Sequence, residues 1–338
     1  MNAMYAFFAV LVLIGLVLLG LAADLQVIFG TVIPYIAIAV FVVGVVYRII
    51  RWAVSPVPFK IPTTCGQQKS LPWFKTSHLE SPPNKFWVLV RMALEILFFR
   101  SLFRNTKMDI KEGANGPRAV YGGEKYLWLA GLVFHWSFLF VVVRHLRFFI
   151  EPVPTFVLYV QNLDGLMQVG VPVLYMTSFG LLAAVTFLYL RRVVIPQVSY
   201  ISLAADYFPL FLIMAIAITG ILTRHTSARV DITQVKQLTM GLLNFSPSLP
   251  EGLGAMFFIH LFLVSILLIY FPMSKLMHMA GVFMSPTRNL ANDNRRRRHV
   301  NPWDYPVKVH TYEEWEDEFR ELMHDAGMPL EKPLEKKE

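Results

Sequence analysis

Charge is scarce in this chain. Of 338 residues only 16% are Asp, Glu, Lys or Arg while 55% are hydrophobic, and the mean hydropathy is +0.50. Soluble domains carry about 25% charged residues, so this deficit excludes an ordinary soluble fold. Cysteine is nearly absent. The single Cys65 leaves no CxxC pair for zinc or a redox dithiol, no CxxCH for covalent haem and no four-cysteine set for an iron–sulfur cluster. The first 47 residues contain no Lys or Arg, which excludes a secretory signal with a basic leader and keeps the first apolar run in the mature protein. No Walker-type loop, GxGxxG or internal repeat is present.

What is abundant is long uncharged sequence. A bilayer core about 30 Å thick needs roughly 20 apolar residues per helical span. Six runs without Asp, Glu, Lys or Arg qualify: Met1 to Ala23, Leu25 to Tyr47, Tyr126 to Val143, Gly165 to Leu190, Tyr207 to Thr223 and Gly252 to Ser274. Only Asp24 separates the first two, which predicts a tight helical hairpin. The expected class is therefore an all-α integral membrane protein with six transmembrane helices.

The basic residues set the expected orientation, because short loops rich in Lys and Arg stay in the cytoplasm. Thirteen lie from Arg48 to Lys125, and Arg191, Arg192, Lys275, Arg288 and the Arg295 to Arg298 run follow. Two lie between Arg144 and Asp164, and three between Arg224 and Glu251. Both termini are thus expected on the cytoplasmic side of the inner membrane. The net charge of +8 is then a topology signal rather than a sign of nucleic acid. Four regions follow: an N-terminal hairpin (1–50), a cytoplasmic loop (51–125), a helical core (126–280) and a polar tail (281–338).

Within the Pro-rich loop, the stretch Phe86 to Phe103 carries Arg91, Glu95, Arg100 and Arg104, too many charges for a span but suitable for a helix in the membrane interface or a docking surface. In the tail, Trp315, Phe319, Leu322 and Met323 recur at helical spacing in the acidic stretch TYEEWEDEFRELMHD, which predicts an amphipathic helix seeking either this chain's own loop or a separate cytoplasmic subunit.

Four of the nine histidines fall in or at the ends of spans: His135 and His145 on the third, His260 and His278 on the sixth. Ionisable groups at membrane depth are costly and usually have a partner or a task. With the helices antiparallel, His145 lies level with His260, and His135 with His278. Imidazole is a suitable axial ligand for haem iron, and two on opposite helices can clamp one porphyrin. Eighteen residues make five whole turns, so His260 and His278 are expected on one side of a single helix; ten residues leave His135 and His145 about 80° apart. The intervals differ, about 15 Å against about 27 Å, and Pro272 offers a kink that could reconcile them.

This spacing resembles that of the nitrate reductase gamma subunit family, dihaem cytochromes b. The resemblance implies iron ligation by His145 with His260 and by His135 with His278, around two haem b groups in a four-helix core. The segments KIPTTCGQQ and SPPNKFWVLVRMALEILFFRSLFRNTK and the long tail resemble the DsrM-type branch and the Hdr-like menaquinol-oxidising enzymes. That likeness implies menaquinol or menaquinone as substrate, a cytoplasmic iron–sulfur partner of the DsrK or HdrD type, neighbours of the DsrJ, DsrO and DsrP types, and a place in dissimilatory sulfur metabolism. The chain itself would hold no iron–sulfur cluster.

On this reading Arg144, Arg147 and Arg224 outside, and Arg191, Arg192 and Lys275 inside, are candidates to contact haem propionates or quinone. His225, with Asp231 nearby, is the candidate acceptor of a quinol proton. Gly131 leaves room for a porphyrin edge or for a close helix contact. A transporter is disfavoured, since no span interior carries the acidic or basic side chains of an ion pathway. The alternative is a haem-free membrane anchor subunit.

Overall fold

Uncharged runs in a bilayer must satisfy their own backbone polar groups, and helix is the way a single segment does so. The computed structural model describes residues 1–55, 67–113, 116–165, 169–170, 172–297 and 309–334. Cys65, Arg298 and His299 lie outside the described residues. Helix α1 (Asn2–Ala22) leads through a π turn at Ile28–Val32 into α2 (Ile33–Ala53). Between them Asp24 takes φ +56, and the Leu25 N–H donates to the Gly20 carbonyl at 2.9 Å. This left-handed stop answers the last carbonyls of α1. Beyond the turn the helices find different neighbours: α1 lies along two later spans and α2 along one.

The expected interfacial helix is two helices, α3 (Lys85–Phe98) and α4 (Arg100–Phe103), broken at Phe99 with φ +49. An antiparallel hairpin then follows, β1 (Thr106–Gly113) with β2 (Gly116–Gly123), registered Thr106 to Gly123. The all-α expectation is corrected at this point. The signal was available in Asn115-Gly116, a hairpin-turn dipeptide, set in a segment too polar to be noticed by a search for apolar runs.

The remaining chain forms α5 (Lys125–His145), α6 (Thr155–Asp164), α7 (Met176–Val194), α8 (Pro196–Ile201), α9 (Ala204–His225), α10 (Ile232–Leu243), α11 (Ala255–Tyr270), α12 (His278–Met284), α13 (Pro286–Asn289) and α14 (Tyr312–Asp325). Among the described residues, six helices are long and apolar enough to cross a membrane. The fourth starts at Met176 rather than Gly165. Gly170 adopts φ +89 and Pro172 follows, and at the start of the helix Asp164 accepts the Thr177 N–H at 2.8 Å and caps it.

Helix α11 is the centre of the bundle. Phe257, Phe258, Phe262 and Leu263 pack there with Val10 and Val17 of α1, Phe29, Leu212 of α9 and Leu238 of α10. In order, α5 lies along α7, α7 along α9, and α9 along α11, which is flanked by α1 and α2. Helices α5 and α11 meet through histidines.

In the tail the Thr311 hydroxyl and the Glu314 carboxylate cap α14 reciprocally. Met323 is buried, whereas Trp315, Phe319 and Leu322 are exposed with Tyr312. The predicted four-residue face is thus divided. The Glu316 carboxylate accepts the Glu331 and Lys332 backbone N–H groups at 2.9 Å each, which with Arg320 holds its pKa below the usual carboxylate value.

Candidate functional site: two histidine pairs

The last span does not reach His278. Helix α11 ends at Tyr270, Pro272 sits in a 3-10 turn, and Ser274 is extended with ψ 178 before a second tight turn at Lys275–Met277 delivers His278 as the first residue of α12. The expectation of His260 and His278 on one side of one helix is corrected accordingly. Proline cannot donate the hydrogen bond that would continue the helix. The break also removes the mismatch of intervals, because the approximately 27 Å of a continuous helix is never formed. Gly44 of α2 makes space for the break: a Cβ there would lie 2.7 Å from Pro272.

The histidines come together in two pairs. The ring centres of His145 and His260 are 6.5 Å apart with planes 22° from parallel, and those of His135 and His278 are 5.8 Å apart at 82°. On α5 the pairs are separated by ten residues, about 15 Å of helix.

Each ring is held by one nitrogen. His135 Nδ1 is 2.7 Å from the Gly131 carbonyl oxygen, His145 Nδ1 is 2.7 Å from that of Val141, and His278 Nδ1 is 2.8 Å from that of Lys275. A carbonyl only accepts, so Nδ1 carries the proton in all three. His260 Nδ1 is 2.9 Å from Thr219 Oγ1, whose own proton is directed to the Ala215 carbonyl at 2.8 Å. The hydroxyl therefore accepts from His260 as well. With Nδ1 so engaged, Nε2 is the nitrogen left to ligate on all four, the arrangement that fixes ring orientation in metal-ligating histidines.

The donor set fits two haem irons. Two metal–nitrogen bonds of about 2 Å, plus about 1 Å from each nitrogen to its ring centre, put opposed imidazoles about 6 Å apart. Both pairs match that separation. His135, His145 and His278 are exposed residues and His260 is half-buried. Gly220 of α9 leaves His260 its place, since a Cβ there would be 3.1 Å from Cε1. Gly131 instead meets Leu102 of α4, a close contact.

The basic candidates are distributed differently from one another. Arg144 is buried, its Nε 2.8 Å from Asp164 Oδ2 and its guanidinium 3.8 Å from the Tyr175 ring centre. Arg224 also lies over that ring, at 4.3 Å, and donates to the Val173 carbonyl. Arg147 donates to Gln161 at 2.8 Å. At the opposite end Arg191 pairs with Glu124 at 3.1 Å, Arg192 donates to Ser202 at 2.9 Å and Lys275 pairs with Asp206 at 2.5 Å. His225 closes α9 with its ring 6.5 Å from Phe179. Asp231 is not set against it: its carboxylate accepts the Thr233 N–H at 2.9 Å, caps α10 and is held below its usual pKa by that bond.

Each pair has its own cover. Over His145, α10 is fastened by Thr239 to the Phe148 carbonyl and by an ion pair of Lys236 with Glu151, and Phe148 meets the His145 ring at 5.7 Å. Over His135, Phe99 lies 4.8 Å away, and Trp128 and Trp136 donate to the Phe98 and Leu97 carbonyls at 2.7 and 3.0 Å. That break is locked to the start of the tail: Arg91 donates to the Arg288 and Leu290 carbonyls, the Asn292 N–H to the Pro82 carbonyl at 2.7 Å, and Arg288 to Ser101 at 2.7 Å. Burial, with Arg288 nearby, pulls the Arg91 pKa down from its ordinary value, and Glu95 opposes this.

Residues 86–296 match the family described as nitrate reductase gamma subunit. The chain belongs to that family. It is also 45% identical over 285 residues, 82% of this chain and 84% of the relative, to the "Hdr-like menaquinol oxidoreductase cytochrome b-like subunit" of Archaeoglobus fulgidus. A protein of the same description from Archaeoglobus profundus is 43% identical over 279 residues, 80% of this chain and 81% of its own length. The gamma-family match begins inside α3 and so leaves α1 and α2 outside it.

Proposed function

We propose that this chain is the membrane cytochrome b subunit of a menaquinol-dependent oxidoreductase, exchanging electrons between menaquinol or menaquinone and a cytoplasmic iron–sulfur subunit in dissimilatory sulfur metabolism. The observation that carries this reading is the two imidazole pairs at ligand spacing, each ring with Nδ1 engaged. Two haem b groups, when bound, supply the one-electron carriers, while the protein supplies ligation, positioning and dielectric.

His145 with His260 and His135 with His278 hold the irons. Family membership and the names of the relatives support that assignment, together with the Nδ1 contacts. Arg147 and Arg224 at one end, and Lys275 at the other, stand where acidic groups of a cofactor or quinone would be met. Arg144, already committed to Asp164, acts by orienting Tyr175 and Arg224. His225 beside Arg224 accepts the quinol proton at Nδ1 or Nε2. The basic-loop rule puts both termini, and with them the His135 pair, on the cytoplasmic side of the inner membrane. The iron–sulfur partner, of the DsrK or HdrD type and accompanied by DsrJ-, DsrO- and DsrP-type subunits, then docks on that side. The exposed Tyr312, Trp315, Phe319 and Leu322 stripe of α14, flanked by carboxylates, suits a partner groove with a basic rim.

The test is a reduced-minus-oxidised spectrum with pyridine haemochrome quantification on the purified chain, with His135→Ala and His260→Ala. The expected result is two haem b per chain, with each variant losing one. A folded preparation without haem would overturn the reading and leave the anchor.

A further inference from the structure

A cleft of about 610 Å³ opens beside His278, between the last turns of α2 and the chain that follows the break in the last span. Its walls include Trp52, Met277 and Gly281, and its rim carries Arg48 and Lys275 with His278. The groove is shallow and open, and its lining is mostly apolar with a few polar groups. The rim cations are not equivalent. Lys275 is paired with Asp206, and Arg288, which also reaches the cleft, is committed to Glu95 and Ser101. Arg48 has no carboxylate partner among the described residues; its guanidinium lies 5.3 Å from the Trp52 ring, and its Nε is buried without a hydrogen-bond partner. A cation at the end of a span that lacks a counter-charge while lining an apolar cleft is suited to an anion carried on an apolar body.

We infer that this cleft binds the anionic head of an amphiphile, held by Arg48 and with its apolar body along Trp52 and Gly281. The head is a carboxylate of the porphyrin or the phosphate of a bilayer lipid; the first source rests on the haem reading above, the second does not. Arg48 and Trp52 lie outside the stretch that matches the gamma family, so in this chain the N-terminal hairpin completes a site at the second histidine pair.

The experiment uses the full chain in nanodiscs of phosphatidylcholine and phosphatidylglycerol, with Arg48→Gln, Arg48→Lys and, as control, Arg51→Gln on the same helix. Spectroelectrochemical titration reads the potential of the haem that His278→Ala removes, and native mass spectrometry counts the phosphatidylglycerol retained on delipidation. If the head is the porphyrin carboxylate, Arg48→Gln lowers that haem's one-electron reduction constant about tenfold, about 60 mV, and Arg48→Lys restores most of it. If the head is lipid phosphate, the potential stays and retained phosphatidylglycerol falls about tenfold in Arg48→Gln alone. The inference is overturned if neither readout moves, or if Arg51→Gln moves them equally. A preparation without haem would sink the proposed function and leave the lipid count to decide the cleft.

Discussion

The two histidine pairs share one chemistry and differ in how they are built. His145 and His260 sit on two continuous helices, one of them the most enclosed in the bundle, with Thr219 and Gly220 of a third helix shaping the place of His260. His135 and His278 depend on segments far apart in sequence: a broken span end, the α3–α4 break, the tail bound through Arg91, and the α2 wall. The first pair is set by helix packing, the second by loops that must dock before the site exists. Segments held by few buried contacts open more readily than core helices, so the second pair is the more easily adjusted of the two.

The sharpest way to break the comparison is to fill the packed pair. Gly220→Leu drives a side chain into His260, and loss of the His145/His260 haem with full retention of the other is expected in the haemochrome assay. Loss of both would show that the pairs are not independently built. Next comes Asp164→Asn, which strips the buried Arg144 of its charge partner beside His145. Breaking a buried pair costs about 3–5 kcal/mol, read as a lower unfolding temperature in detergent, whereas replacing both partners with apolar residues should recover most of it. The smallest effect belongs to the docked pair. Trp136→Phe removes one hydrogen bond to the Leu97 carbonyl, about 1 kcal/mol. It should raise amide hydrogen exchange in α3 and α4 while exchange in α11 stays unchanged.

Much of this architecture was legible in the residues. Six runs without charge can do little else in a bilayer than form helices, so the spans were readable to within a few residues, apart from the fourth. There a charge count could not see that Gly170 and Pro172 keep the first part out of the helix. The two His pairs were readable from sidedness, because antiparallel helices bring like depths together. The partners of the arginines were not: Asp164, Glu124 and Asp206 each lie in a different loop or helix end from the cation they meet. The cleft at Arg48 was no more legible, since apart from Trp52 its lining comes from residues more than two hundred positions later.

Hydropathy and the positions of four histidines were therefore sufficient for a helical membrane protein, for five of the six spans and for the imidazoles that face each other, because those follow from local periodicity and the requirement for satisfied backbone in lipid, whereas the β hairpin and the start of the fourth span were not read. The break at Pro272, the place of His278 on a separate short helix, the cover over His135 and the cleft at Arg48 were decided by tertiary packing. Two helices whose histidines lie at unequal intervals, ten residues on one and eighteen along the other stretch, can bring both pairs of rings to about 6 Å only if one of them is interrupted. Where it does so depends on which neighbours, Gly44 here, leave room for the turn.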